Sequence, residues 1–290
     1  MTDLTISTST IQRNGHQPTA LKRDEFDSQQ FEGGRESIPY IQMLNHQDSN
    51  HSGFFITSEN IESVGFVPNE EWSLHTETFQ SGETAEGYRS LTARLLILRK
   101  SKLLMFDRDS GKFLSMFQRS RYDRNTVVLK TRYLVYLLSK SKQLLHRSPL
   151  LLTAKGSFNG CFGEVVRKFQ SEMSKAYGIA TGAKKPRGDC FMALPVLAVQ
   201  VKPELKEEKK KSWACSITNY GSPTVDNWKS YFVGYDESLK EKILADFEQW
   251  QGFGSITQEF EAQQRQQQAQ THSQPEAEYD SESNYDDEDF

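Results

Sequence analysis

Cysteine is scarce in this chain, and long apolar runs are missing from it. The three thiols, Cys161, Cys190 and Cys215, are odd in number and form no CxxC pair. This excludes a disulfide framework and a cysteine-built structural zinc site, and leaves buried, reduced thiols as the expectation. No stretch approaches the ~18 apolar residues that would span a bilayer. The opening "MTDLTISTST" has no cationic region leading into an apolar core, so no secretory leader is read there. A cytoplasmic protein with no membrane partner is expected.

Catalytic signatures are missing too. "GSFNGCFG" carries the glycines of a phosphate loop without its Lys-Ser/Thr pair, and "GIATGAKK" has lysines but places Ala183 where the second glycine belongs. A Gly-rich turn opening a helix can still receive one backbone phosphate at the helix N-terminus. There is no GxSxG elbow, no HExxH and no HxH. His46, His51 and His75 stand in polar stretches and read as solvated imidazoles. No enzyme, cofactor or metal is expected.

What the chain does have is charge sorted by position. Residues 1–88 hold 4 basic and 14 acidic side chains, residues 89–187 hold 22 and 5, residues 188–275 hold 9 and 12, and residues 276–290 hold 0 and 8. The formal net charge of −4 averages these away. A cationic middle beside a purely acidic end suits a polyanion ligand, with the end acting as competitor for that site or as a handle for another protein.

Composition also sets boundaries. Residues 1–37 and 255–290 are too polar to offset the entropy of ordering and are expected to be a disordered arm and a disordered acidic tail. Residues 38–254 are long enough for one core. "SIPYIQMLN", "GFFIT" and "WSLHTETFQ" read as strands, and "SENIESVG" as a short helix capped by Ser58 and stopped by Gly65. From Tyr88 to Phe117, alternation predicts three antiparallel strands turning at 99–102 and at Asp109-Ser110-Gly111.

From Thr126 the leucines Leu134, Leu137, Leu138, Leu144 and Leu145 fall near helical spacing, although Thr126-Val127-Val128 keeps a strand open. A helix there would align Arg132, Tyr136 and Lys140. "PLLLTAKG" reads as strand and Gly-rich turn, followed by an amphipathic helix on Val165, Val166, Phe169, Met173 and Ala176 that Gly178 stops. "TGAKKPRGD" reads as a basic loop. "CFMALPVLAVQV" and "SWACSIT" form a hairpin whose tip is "KPELKEEKKK". A last helix is capped by Asp236, buries Leu239, Ile243, Phe247 and Trp250, and ends at Gly252. The expected class is α+β: an antiparallel sheet, open to closing as a β-barrel, with three or four helices.

The tail "YDSESNYDDEDF" resembles the acidic, Phe-terminated tails of bacterial single-stranded DNA-binding proteins and of the replication-associated single-stranded DNA-binding proteins of phages. Asp289 stands where the commonest bacterial version has proline. The resemblance implies an OB-fold. It also implies that Asp286, Asp287, Glu288, Asp289 and Phe290 recruit replication or recombination proteins while the acids compete with DNA. The body, from "ESIPYIQMLN" to "GFFIT", is similar to an uncharacterised family associated with cyanobacteria and mobile elements.

Single strands are held by a cationic groove and by aromatic faces on which bases stack. The residues expected to bind nucleic acid are Arg94, Arg99, Lys100, Lys102, Lys112, Arg119, Arg121, Tyr122, Arg124, Arg132, Tyr136 and Lys140, with Lys184, Lys185 and Arg187 on the basic loop. Tyr122, in the hydrophilic "QRSRYDRN", is the ring least suited to a core. Single-stranded DNA is the expected ligand, with RNA and self-association left open. The rival reading is an adaptor or inhibitor of a mobile element whose basic surface meets an acidic protein.

Overall fold

A computed structural model of the chain describes residues 38–79, 81–206 and 212–255. The expected arm (1–37) and the tail beyond Ser255, with its five proposed partner-binding residues, lie outside the described residues, as do residues 207–211 of the predicted hairpin tip.

Two strands form the middle of the molecule, β5 (Thr92–Lys100) and β8 (Val127–Leu137), paired antiparallel with Leu96 opposite Tyr136. β5 from Leu95 to Leu98 and β8 from Tyr133 to Leu137 are buried on both faces. Ala93, Leu95, Ile97, Tyr133, Val135 and Leu137 enter the larger core, whereas Leu96, Leu98, Leu134 and Tyr136 enter a second core behind the sheet. A strand covered on both sides has no polar face to keep its alternation visible. This is why the leucines after Thr126 mimic a helix. The helical reading is wrong from Val127 to Leu137, and the β-branched start was the better signal.

The described residues form one sheet of eleven strands. Its main path runs β11 (Ser212–Tyr220), β10 (Val196–Lys206), β5, β8, β9 (Leu150–Lys155), β1 (Tyr40–Leu44), β2 (Gly53–Thr57), β4 (Thr84–Ser90) and β3 (Ser73–Thr78). All neighbours are antiparallel except β1 with β9. Off this path, β6 (Leu104–Asp107) pairs with the first half of β8 and with β7 (Phe113–Met116). So β5 and β6 do not form the expected hairpin but lie end to end along the same edge of β8. The turn at Asp109-Ser110-Gly111 does form, with Gly111 at φ 68°.

The sheet curls until β11 nears the end of β1, where the Cys215 amide donates to Asn45 Oδ1 at 2.8 Å and its thiol to the Leu44 carbonyl at 3.2 Å. Among the described residues no strand ladder joins β11 to β1, so the barrel is not closed, and this order singles out no five-stranded OB-like core.

Among the described residues five α-helices accompany the sheet. The longest, α2 (Gly156–Thr181), packs Phe158, Phe162, Val166, Phe169, Met173 and Ala176 into the larger core. The predicted Gly-rich turn is its first two turns, and it runs past Gly178 to end at Gly182 in the left-handed conformation, φ 71°. Each interior glycine costs about 1 kcal/mol of helix propensity. Burying Phe158 and Phe162 contributes ~1.5–3 kcal/mol apiece, so packing overrides the local preference. Before it, α1 (Ser58–Val64) stops at Gly65 as expected, although Thr57 rather than Ser58 holds the cap position.

The single turns α3 (Asp189–Met192) and α4 (Trp228–Tyr231) precede α5 (Glu237–Gln249), whose cap Asp236 accepts from the Leu239 amide at 3.1 Å. α5 buries Ile243 and Phe247 against β5 and β8, leaves Leu239 and Trp250 half-buried, and ends before Gly252. Among the described residues no helix is long and apolar enough to cross a membrane. Cys215 is buried as expected, and burial pushes its thiol up to about 11. Cys190 departs from the expectation and is exposed.

Candidate functional site

The fold divides the basic middle segment into cations that tie elements together in the interior and cations exposed at the surface. Arg94 on β5 is half-buried and pairs with Glu71. Lys140 reaches Glu70 at 3.3 Å and Glu71 at 3.9 Å. Two of the expected ligand cations are therefore neutralised by acids from the N-terminal half of the chain. Arg99 lies 3.3 Å over the Phe247 ring centroid and donates Nε to the Phe247 carbonyl at 3.0 Å, so it fastens α5 to the sheet.

Tyr136 is fully buried. Its hydroxyl donates towards Asp246 Oδ2 at 2.8 Å and lies 3.1 Å from the Arg147 carbonyl, and burial followed by Asp246 drives its pKa up. It cannot stack on a base. Arg132 is half-buried beside the Phe106 ring, and Lys100, although exposed, holds its ammonium 5.7 Å from the Tyr133 centroid. The supposed helical face of Arg132, Tyr136 and Lys140 does not exist.

The remaining cations gather around the β6–β7 hairpin and the loop leading to β8. Lys102, Lys112, Arg119, Arg121 and Arg124 are all exposed. A 3-10 turn, Arg119–Arg121, presents two of them and is followed by Tyr122, whose ring meets Phe117 edge-on at 5.8 Å. Phe117 is itself 36% exposed.

The loop is held from below. Arg108 donates to the carbonyls of Asn125 at 3.0 Å and Arg124 at 2.9 Å. Asp123 accepts from the Asn125 amide at 2.9 Å, and Asp107 accepts from the Ser110 amide and hydroxyl, which hold its pKa below the usual carboxylate range. Two of the three acids among these cations are thus occupied in building turns. The face continues onto the sheet, where Lys130 of β8 stands opposite Lys155 of β9 and 4.1 Å over the Phe106 ring. Arg108, Lys130 and Lys155 were not among the expected residues; strand parity, misread as helix, was the signal that would have found Lys130.

Lys184 and Lys185 are exposed in the loop after α2. There the Arg187 guanidinium donates to the Lys185 carbonyl at 2.7 Å and lies 5.4 Å from the Tyr177 centroid. A 26-residue helix separates this loop from Lys155, a span of ~39 Å at about 1.5 Å per residue. The two basic groups are distinct sites.

Three histidines dismissed as solvated also come together. His46 and His51 have ring centroids 5.2 Å apart, as do His51 and His75, and His75 Nε2 lies 3.0 Å from Glu77 Oε2.

A family profile described as "Domain of unknown function (DUF5895)" matches residues 35–266. The chain belongs to that family. The matched DUF5895 span takes in both the basic loop and the histidine cluster. Among curated proteins the chain is similar to "Uncharacterized protein 254L" of Invertebrate iridescent virus 6, at 28% identity over 174 residues, 55% of this chain and 52% of the viral protein. The chain thus spans about half the length of that relative. No solved structure gives a significant match.

Proposed function

We propose that this protein binds single-stranded nucleic acid without catalysing a reaction, with DNA as the favoured ligand and replication or recombination as the setting. The observation that carries the reading is the ring pair of exposed Phe117 and half-buried Tyr122 set among exposed Arg119, Arg121 and Arg124. Phosphates are met by point charges and bases by ring faces, and each base–ring stack contributes ~1–3 kcal/mol. Lys102, Lys112, Lys130 and Lys155 extend the cationic track along the hairpin and sheet. The acidic tail of residues 276–290 then serves as competitor and partner handle, as its resemblance implies.

Fluorescence anisotropy with labelled single-stranded DNA, duplex DNA and RNA at two salt concentrations tests this. Log K for the single strand should fall with log salt at about −0.7 per phosphate contacted. Replacing Arg119, Arg121 and Arg124 together by alanine should make that slope shallower by about 2. Binding that ignores salt, or a triple variant indistinguishable from the parent, would overturn the proposal. Selective capture of an acidic protein with no affinity for any of the three probes would instead support the adaptor reading.

A further inference from the structure

We propose that His51, His75 and Glu77 form a binding site for a divalent transition metal of the zinc class. Their ligand-capable atoms all lie within 4.8 Å of one another. They come from separate pieces of chain: His51 ends the 3-10 turn Ser49–His51 between β1 and β2, while His75 and Glu77 sit two residues apart on β3, hence on the same face of the strand. In sequence this is only an HxE with another histidine 24 residues earlier. The fold makes it a set of three.

The donor chemistry fits zinc. Two imidazoles and one carboxylate are borderline ligands of the kind zinc takes at about 2.0–2.2 Å, and three protein ligands leave a fourth position for water. Tetrahedral geometry at those bond lengths puts neighbouring ligand atoms about 3.4 Å apart. The His75–Glu77 contact of 3.0 Å need open only slightly. His51 has further to move and is on an exposed turn that allows it. A shared proton can join His75 to Glu77 but leaves His51 idle, and the His51 ring nitrogens meet no hydrogen-bond partner among the described residues. A metal ion would satisfy all three groups together.

The surroundings hold this arrangement in place. The His75 side chain is 8% exposed and its ring packs edge-on against buried Phe55 at 5.7 Å. The turn carrying His51 is tied by the His46 amide donating to Ser52 Oγ at 2.9 Å, by Asp48 accepting from the Asn50 amide at 2.8 Å, and by buried Arg89 donating to the Ser49 carbonyl at 2.9 Å. His46 is part of the wall rather than a ligand. Its Nδ1 already accepts from the Asp48 amide at 3.0 Å, which fixes the proton on Nε2 and leaves neither nitrogen free to bind metal.

The test is titration of the untagged full-length chain with zinc against a chromogenic chelator, repeated with His51→Ala, His75→Gln, Glu77→Gln and His46→Gln. Cobalt(II) absorption provides a readout of the ligand field. One equivalent of zinc should bind. His51→Ala and His75→Gln should each weaken binding at least about tenfold and abolish the cobalt d–d bands, while His46→Gln should stay within about threefold of the parent. His51→Ala alters an exposed turn, so its circular dichroism should match the parent's and separate loss of metal from loss of fold. Zinc affinity equal to the parent's in both the His51 and His75 variants, or no binding at all, would overturn the site.

Discussion

The imidazole of His146 is gripped from both sides: Nε2 accepts from the Leu137 amide at 2.8 Å, and Nδ1 donates to the Ser148 carbonyl at 2.6 Å. Burial pulls its pKa down to about 4 from an ordinary 6.5. The unfolded chain therefore binds the extra proton first. The stability contributed by neutral His146 is complete above about pH 6.5 and is lost as pH falls from there through about 4. The loss amounts to about 3 kcal/mol at most, at 1.36 kcal/mol per pH unit. Urea unfolding at pH 7 and pH 4.5 should show it, and His146→Gln should flatten that part of the profile. Tyr136 and Tyr122 contrast at the same scale. Tyr136→Phe removes the hydrogen bond from a buried hydroxyl to the Asp246 carboxylate, which keeps Lys242 as a partner at 3.1 Å, and should destabilise the fold by ~1–3 kcal/mol without changing the salt slope of ligand binding. Tyr122→Ala should leave stability within about 0.5 kcal/mol and weaken single-strand affinity by ~1–3 kcal/mol. Chemical denaturation and anisotropy read the two effects separately. Tyr122, flanked by arginines and polar residues, was legible as the ring least suited to a core, and it is half-buried against Phe117. Tyr136 was not, because nothing local distinguishes a tyrosine that finds Asp246, 110 residues away, from one that finds solvent.

Elements were legible in proportion to how one-sided they are. α5 has a polar face and an apolar stripe, with a capping aspartate before it, and all three could be read directly. β8 is apolar on both faces because α2 covers one and α5 the other. α2 carries glycines at 156, 160 and 163 that look like a turn until Phe158 and Phe162 are given something to pack against. A Cβ added at Gly160 would meet nothing within 4 Å. Gly160→Ala should therefore stabilise the protein by about 0.5–1 kcal/mol through helix propensity. At Gly87 on β4 an added Cβ would lie 2.0 Å from the Ile56 carbonyl oxygen of β2, and the strands would have to part. Gly87→Ala should cost more than about 2 kcal/mol, with the β2–β4 edge of the sheet losing amide-exchange protection first.

At the scale of the whole molecule the basic segment resolves into an internal set, a track around the β6–β7 hairpin, and a separate group in the loop after α2. Replacing Lys184, Lys185 and Arg187 together by alanine should leave the salt slope of single-strand binding within about 0.5 of the parent, whereas the Arg119, Arg121 and Arg124 variant should not. Anisotropy against salt for the two triple variants distinguishes one binding track from a charge effect spread over the surface. By itself the sequence determined the mixed α+β class, the β10–β11 hairpin, the Gly65 stop of α1, the Asp236 cap of α5, and which stretch is rich in positive charge, because each follows from propensity or composition within a few residues. Only the tertiary structure decided that Arg94 and Lys140 belong to Glu70 and Glu71, that Arg99 fastens α5, and that His51 meets His75 and Glu77. Those partners lie on other elements, and local pattern carries no information about which strand edge or helix will arrive beside a given side chain.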